Sequence, residues 1–61
     1  MTKKEIMDKF VSLRRSSGTV PSMLEFVQGT DVTVDDLTAN FPAENALDSF
    51  AKMANECNEQ W

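Results

Sequence analysis

Cys57 is the only cysteine in a chain of 61 residues that contains no histidine. No disulfide can form within the chain, and one thiol without imidazole cannot assemble a zinc site. A chain this short buries only about 60% of the surface it exposes when unfolded, and small domains commonly lean on a staple or a metal. This one must be held by apolar packing alone. The same two facts narrow the chemistry. A Cys–His nucleophile is excluded, and the commonest general base at neutral pH is missing. The expectation is a non-enzyme with no cofactor and no metal. A lone thiol fits a reducing setting, where Cys57 reads as a small apolar residue on a helix face.

The apolar residues recur at helical spacing, in four short pieces set apart by two Gly and two Pro. In "TKKEIMDKFVSLRRSSG", Ile6, Phe10 and Leu13 share a face with Met7 and Val11 beside them. Thr2 and Glu5 form a capping box, and Arg14 and Arg15 suit the negative end of the helix dipole. Gly18 ends the piece. In "VPSMLEFVQG", Pro21 suits a first turn and Met23, Leu24, Phe26 and Val27 supply the apolar face. Gly29 stands where a left-handed cap is wanted. In "TDVTVDDLTANF", Val32 reads as the plug of a turn, Thr33 with Asp36 as a helix start, and Leu37 and Phe41 as the inner face. In "PAENALDSFAKMANECNEQW", Pro42 and Glu44 open a helix. Its stripe runs Leu47, Phe50, Ala54, Cys57, Trp61 at spacings of three and four. The β-branched residues of "GTVPSM" and "TDVTV" are too few and interrupted for strands. The spacing predicts an all-α fold, a small three- to four-helix bundle in a single domain over residues 1–61. Helices are expected at about 2–16, 21–28, 33–40 and 43–59.

Net charge is −4, unevenly spread. Residues 1–18 carry five cations against two acids, a balance of +3; residues 19–61 carry one lysine against eight acids, a balance of −7. Such asymmetry orients a molecule toward a charged partner. No apolar run approaches the ~20 residues that span a bilayer. "MTKKEIMDKF" has charges but no apolar stretch after them, so it does not read as a signal peptide. A soluble, cytoplasmic protein with no membrane role is expected.

From Pro21 to Leu47 the chain reads "PSMLEFVQGTDVTVDDLTANFPAENAL". This segment resembles the DNA-binding end of TetR-family transcriptional regulators. There a short helix, a tight turn and a recognition helix lead into a pattern of the type "LYxHFxSKExL"; here the stretch is "LTANFPAENAL". Leu37, Phe41, Ala46 and Leu47 fall at the family's packing positions. The resemblance implies a helix-turn-helix, with Lys3, Lys4, Thr33, Thr38 and Asn40 as the residues facing DNA. The departures are chemical. Asp31 stands where the family's turn carries Gly, and is expected to take that left-handed backbone. Thr38 stands for a Tyr that touches phosphate, Asn40 for a His, and Glu44 for a Lys that meets the backbone.

DNA affinity comes largely from neutralising phosphates. Asp35, Asp36 and Glu44 on the presenting face oppose it, each by about 1 kcal/mol at surface dielectric. The family dimerises through a large C-terminal domain, and this chain stops where that domain would begin. A single recognition helix reads one half-site. The expected function is therefore transcription-linked contact with a protein, either a regulator, RNA polymerase or a second copy through the fourth helix. Asp35, Asp36, Glu44, Phe50, Cys57 and Trp61 are the candidate interface. The alternatives are a weak or dimer-dependent DNA-binding regulator and a structural adaptor with no nucleic-acid role.

Overall fold

The computed structural model describes residues 1–60, and side chains from Met1 to Asn58. The expectation for Trp61 lies outside the described residues. Four α-helices follow one another: α1 (Lys3–Ser17), α2 (Met23–Gly29), α3 (Val34–Asn40) and α4 (Ala46–Gln60). There is no strand among the described residues, so the fold is all-α.

Local chemistry sets each start. Thr2, Ser22 and Thr33 are N-caps, and each closes a reciprocal capping box with Glu5, Glu25 and Asp36. Two orphan N–H groups are satisfied at each of these ends. Two seven-residue helices cannot persist alone, so these caps and tertiary packing must hold α2 and α3. Asn45 starts α4, its Oδ1 accepting from the Asp48 N–H at 2.9 Å.

Several local expectations need correction. Pro21 does not sit in the first turn of α2. It precedes the Ser22 cap and is buried. α4 begins three residues later than position 43, because the chain reaches a cap only at Asn45; Pro42 and Glu44 lie before it. Gly29 is not a left-handed cap. It is the last helical residue of α2, and the extended Thr30 follows it. The Thr30 hydroxyl donates to the Phe26 carbonyl at 2.7 Å and accepts from the Val32 N–H at 3.2 Å, closing the turn by side-chain chemistry instead. Asp31 is not left-handed either, for no non-glycine residue described has positive φ. Among the described residues the one in left-handed backbone is Gly18 at φ 77°, whose N–H donates to the Arg14 carbonyl at 2.9 Å.

The core is built around three phenylalanines from three helices. Phe10 of α1 meets Phe26 of α2 edge-on at 5.6 Å and Phe50 of α4 edge-on at 5.7 Å, while Phe26 and Phe50 lie 5.9 Å apart. Such pairs add about 0.5–1.5 kcal/mol beyond area burial. Ile6, Met7 and Val11 join from α1, and Met53 and Cys57 from α4. Val32 plugs the α2–α3 turn, and Leu37 and Phe41 seat α3, chiefly against α4.

The inward stripe of α4 differs from the predicted one. Leu47 is 61% exposed, whereas Met53 and Ser49 are fully buried. Ser49 and Met53 lie on one side of the line through Phe50 and Cys57, and Leu47 on the other, so the buried arc takes in the first pair and leaves Leu47 out. Leu24 is likewise exposed on α2.

Candidate functional site

The polar residues of α3 are turned to the helix itself. The Thr33 hydroxyl accepts from the Asp36 N–H, and the Asp36 carboxylate accepts from the Thr33 N–H, both at 3.1 Å. The Thr38 hydroxyl donates to the Asp35 carbonyl at 3.2 Å. Asn40 Nδ2 donates to the Asp36 carbonyl at 2.9 Å and to the Met1 carbonyl at 3.1 Å, tying the end of α3 to the chain start. Asp35 stands exposed in the first turn, and the last turn of α3 has no cation.

The cations of α1 are largely engaged across the bundle. Lys3 Nζ lies 3.3 Å from Glu56 Oε1 and 5.0 Å from the centre of the Phe41 ring. Lys9 pairs with Asp31 at 2.9 Å. That contact, first through its hydrogen bond, lowers the Asp31 pKa and raises that of Lys9. Arg14 donates to Asn58 at 3.1 Å and lies 5.9 Å from the Phe10 ring centre. Lys4 and Arg15 are exposed. Of the residues proposed to face DNA, Lys3 and Asn40 come together, with Phe41, Pro42 and Lys52, around a cleft of about 380 Å³. Lys52 spans this cleft by donating to the Pro42 carbonyl at 2.6 Å.

The interface candidates divide. Asp35 and Glu44 are exposed and Asp36 is half-buried in its cap. Phe50 and Cys57 belong to the core, which removes both from any surface contact. Their helical spacing marked an inward face, and the aromatic cluster occupies it. Burial also pushes the Cys57 thiol pKa up; its Sγ rests 3.9 Å from the Met7 carbonyl and 3.8 Å from Met53 Sδ. A thiol held in its protonated form is a poor nucleophile.

The outward apolar residues were missed by sequence reasoning. Val20, Leu24 and Leu47 are each more than 60% exposed, and Val34 is exposed to a lesser degree. Periodicity alone could not mark them, since Leu24 and Leu47 sit within a turn of truly buried residues. The Ser22–Glu25 box was legible, as Ser-x-x-Glu directly after Pro21.

No group of three or more acidic or thiol side chains is gathered to hold a metal among the described residues. No described helix is long and apolar enough to cross a membrane. Compared with known protein families, curated proteins and solved structures, the chain matches none.

Proposed function

We propose that this chain is a non-enzymatic, helix-turn-helix-type domain linked to transcription regulation, acting in the cytoplasm by contact with another protein rather than by gripping DNA. The supporting observation is the state of α3. Thr33, Thr38 and Asn40 spend their hydrogen bonds within the domain, and the exposed charge beside them is the carboxylate of Asp35. A helix that reads DNA needs free donors toward bases and cations toward phosphates. An acidic surface instead complements a basic protein patch and speeds encounter with it. The non-enzymatic part rests on the absence of histidine and on a lone cysteine that is buried.

Titration with random-sequence duplex DNA at low salt tests the reading. Binding is expected to be undetectable at micromolar protein, and Asp35→Lys with Glu44→Lys is expected to create binding that weakens steeply with salt. Micromolar binding by the unsubstituted chain would overturn it. So would a double lysine variant that folds but gains nothing, because α3 would then not be the presented helix.

A further inference from the structure

Two shallow clefts follow one another between α1 and α2. The first, of about 410 Å³, is lined by Asp8, Lys9, Ser12 and Leu13 of α1 against Gly29 and Asp31. The second, of about 340 Å³, is lined by Leu13 and Ser17 against Pro21, Glu25, Gln28 and Gly29. Leu13 and Gly29 line both, so the clefts form one groove. Lys9 meets Asp31 across it at 2.9 Å. Gly29 has no side chain to cover Leu13, and a Cβ there would begin 3.6 Å from Leu13 Cδ2. The middle of the groove is therefore a half-buried leucine left open where α2 ends.

Charge and spacing describe what fits it. Lys9 neutralises Asp31, whereas neither Asp8 nor Glu25 has an ion-pair partner among the described residues. The groove thus carries an uncompensated carboxylate toward each end and an apolar middle. At about 1.5 Å per helical residue, Asp8, Leu13 and Ser17 are spaced by about 7.5 Å and about 6 Å along α1, and Glu25 lines the Ser17 end. Alternate residues of an extended chain lie about 6.7 Å apart and point the same way. A second copy brings the same net charge of −4, which opposes self-pairing. Resting on the protein-contact reading above, we propose that this groove docks an extended segment of another protein with the pattern basic–x–aliphatic–x–basic. Its first cation lies at Asp8, its aliphatic side chain covers Leu13 over Gly29, and its second cation lies at Glu25. The methylene stems of the cations run along the groove while their charged heads stay in water. Charge at the two ends fixes the choice of partner, and the spacing fixes the register.

The test is an amide chemical-shift titration of the full chain by NMR, at physiological salt, with three end-blocked peptides. One has the core Arg-Ser-Leu-Ser-Arg, one has the same composition with the two Arg adjacent, and one has Glu in place of Arg. The first is expected to bind, with shifts gathered on Leu13, Ser17 and Gly29, and the other two about fivefold more weakly or worse. Asp8→Asn with Glu25→Gln removes both charges and keeps a capping residue at position 25, and is expected to weaken binding about fivefold or more. Gly29→Gln, which lays a side chain over Leu13, is expected to do the same without touching charge. Asp35→Asn, on α3, is expected to leave binding unchanged. Equal binding of the two Arg peptides, or variants of the groove that bind as the parent does, would overturn the docking site. Binding lost on Asp35→Asn but kept by the groove variants overturns the groove while sparing the protein-contact reading. No binding of any peptide also overturns the groove, and the DNA titration above still decides that reading by itself. A dimer in sedimentation that Gly29→Gln dissolves would make the groove a self-interface and overturn the proposal.

Discussion

Three residues carry more information than their size suggests. Ser49 is fully buried on α4 and its Oγ has no hydrogen-bond partner among the described residues. A buried hydroxyl left unpaired costs about 1–3 kcal/mol, and alanine is also the better helix former. Ser49→Ala is therefore expected to raise stability by roughly 1 kcal/mol in urea titration. A fall would reveal a buried partner for the hydroxyl. The two glycines separate under the same substitution. At Gly18, φ of 77° strains any side chain, so Gly18→Ala is expected to lower stability by about 1 kcal/mol. At Gly29 the backbone is helical, and an added Cβ would meet Leu13 at an ordinary 3.6 Å. Gly29→Ala is expected to be neutral or stabilising by up to about 1 kcal/mol in the same titration. Gly18 ends α1 as its place in the sequence indicates, whereas the role of Gly29 was not legible, because the Thr30 hydroxyl closes that turn without positive φ.

At the scale of the element, capping outweighs propensity. α2 and α3 are two turns each, and α3 contains Val34 and Thr38, which favour helix weakly. Removing a cap from so short a piece is expected to be felt globally: Ser22→Ala and Thr33→Ala should each cost about 1 kcal/mol by denaturant unfolding. The caps also confer a pH dependence. Hydrogen bonds from the Thr2 and Ser22 backbone and side chains lower the pKa values of Glu5 and Glu25. Carboxylates with depressed folded values stabilise fully above their unfolded values and lose that contribution as pH falls through the folded ones. Thermal stability is expected to fall as pH drops below the ordinary glutamate range, and Glu5→Gln with Glu25→Gln should flatten that decline. The existence and order of the helices could be read from apolar spacing and cap residues. Their inward faces could be read only in part. For α1 the predicted Ile6 and Phe10 are buried, with Met7 and Val11 beside them as expected. For α4 the predicted line through Leu47 missed Met53, since the letters do not say on which side of Phe50 the neighbouring helices pack. Among the site candidates, Asp35 and Glu44 are exposed, whereas Phe50 and Cys57 are buried on the inward face that their own spacing marked.

At the scale of the whole molecule, stability hangs on a small aromatic cluster. Phe26 is the one fully buried residue that α2 contributes, and it touches both Phe10 and Phe50. Phenylalanine-to-alanine changes in cores cost about 3–5 kcal/mol, comparable to the entire stability of a domain this size. Phe26→Ala is expected to abolish the cooperative thermal transition seen by circular dichroism. The position of Cys57 has a use of its own. Its sulfur lies where the last helix crosses the first, sealed by the Met7 carbonyl and Met53. A thiol-specific reagent can reach it only when the two ends of the chain part. The rate of alkylation under native conditions is thus an internal clock for opening of the bundle, read without label, denaturant or knowledge of any binding partner.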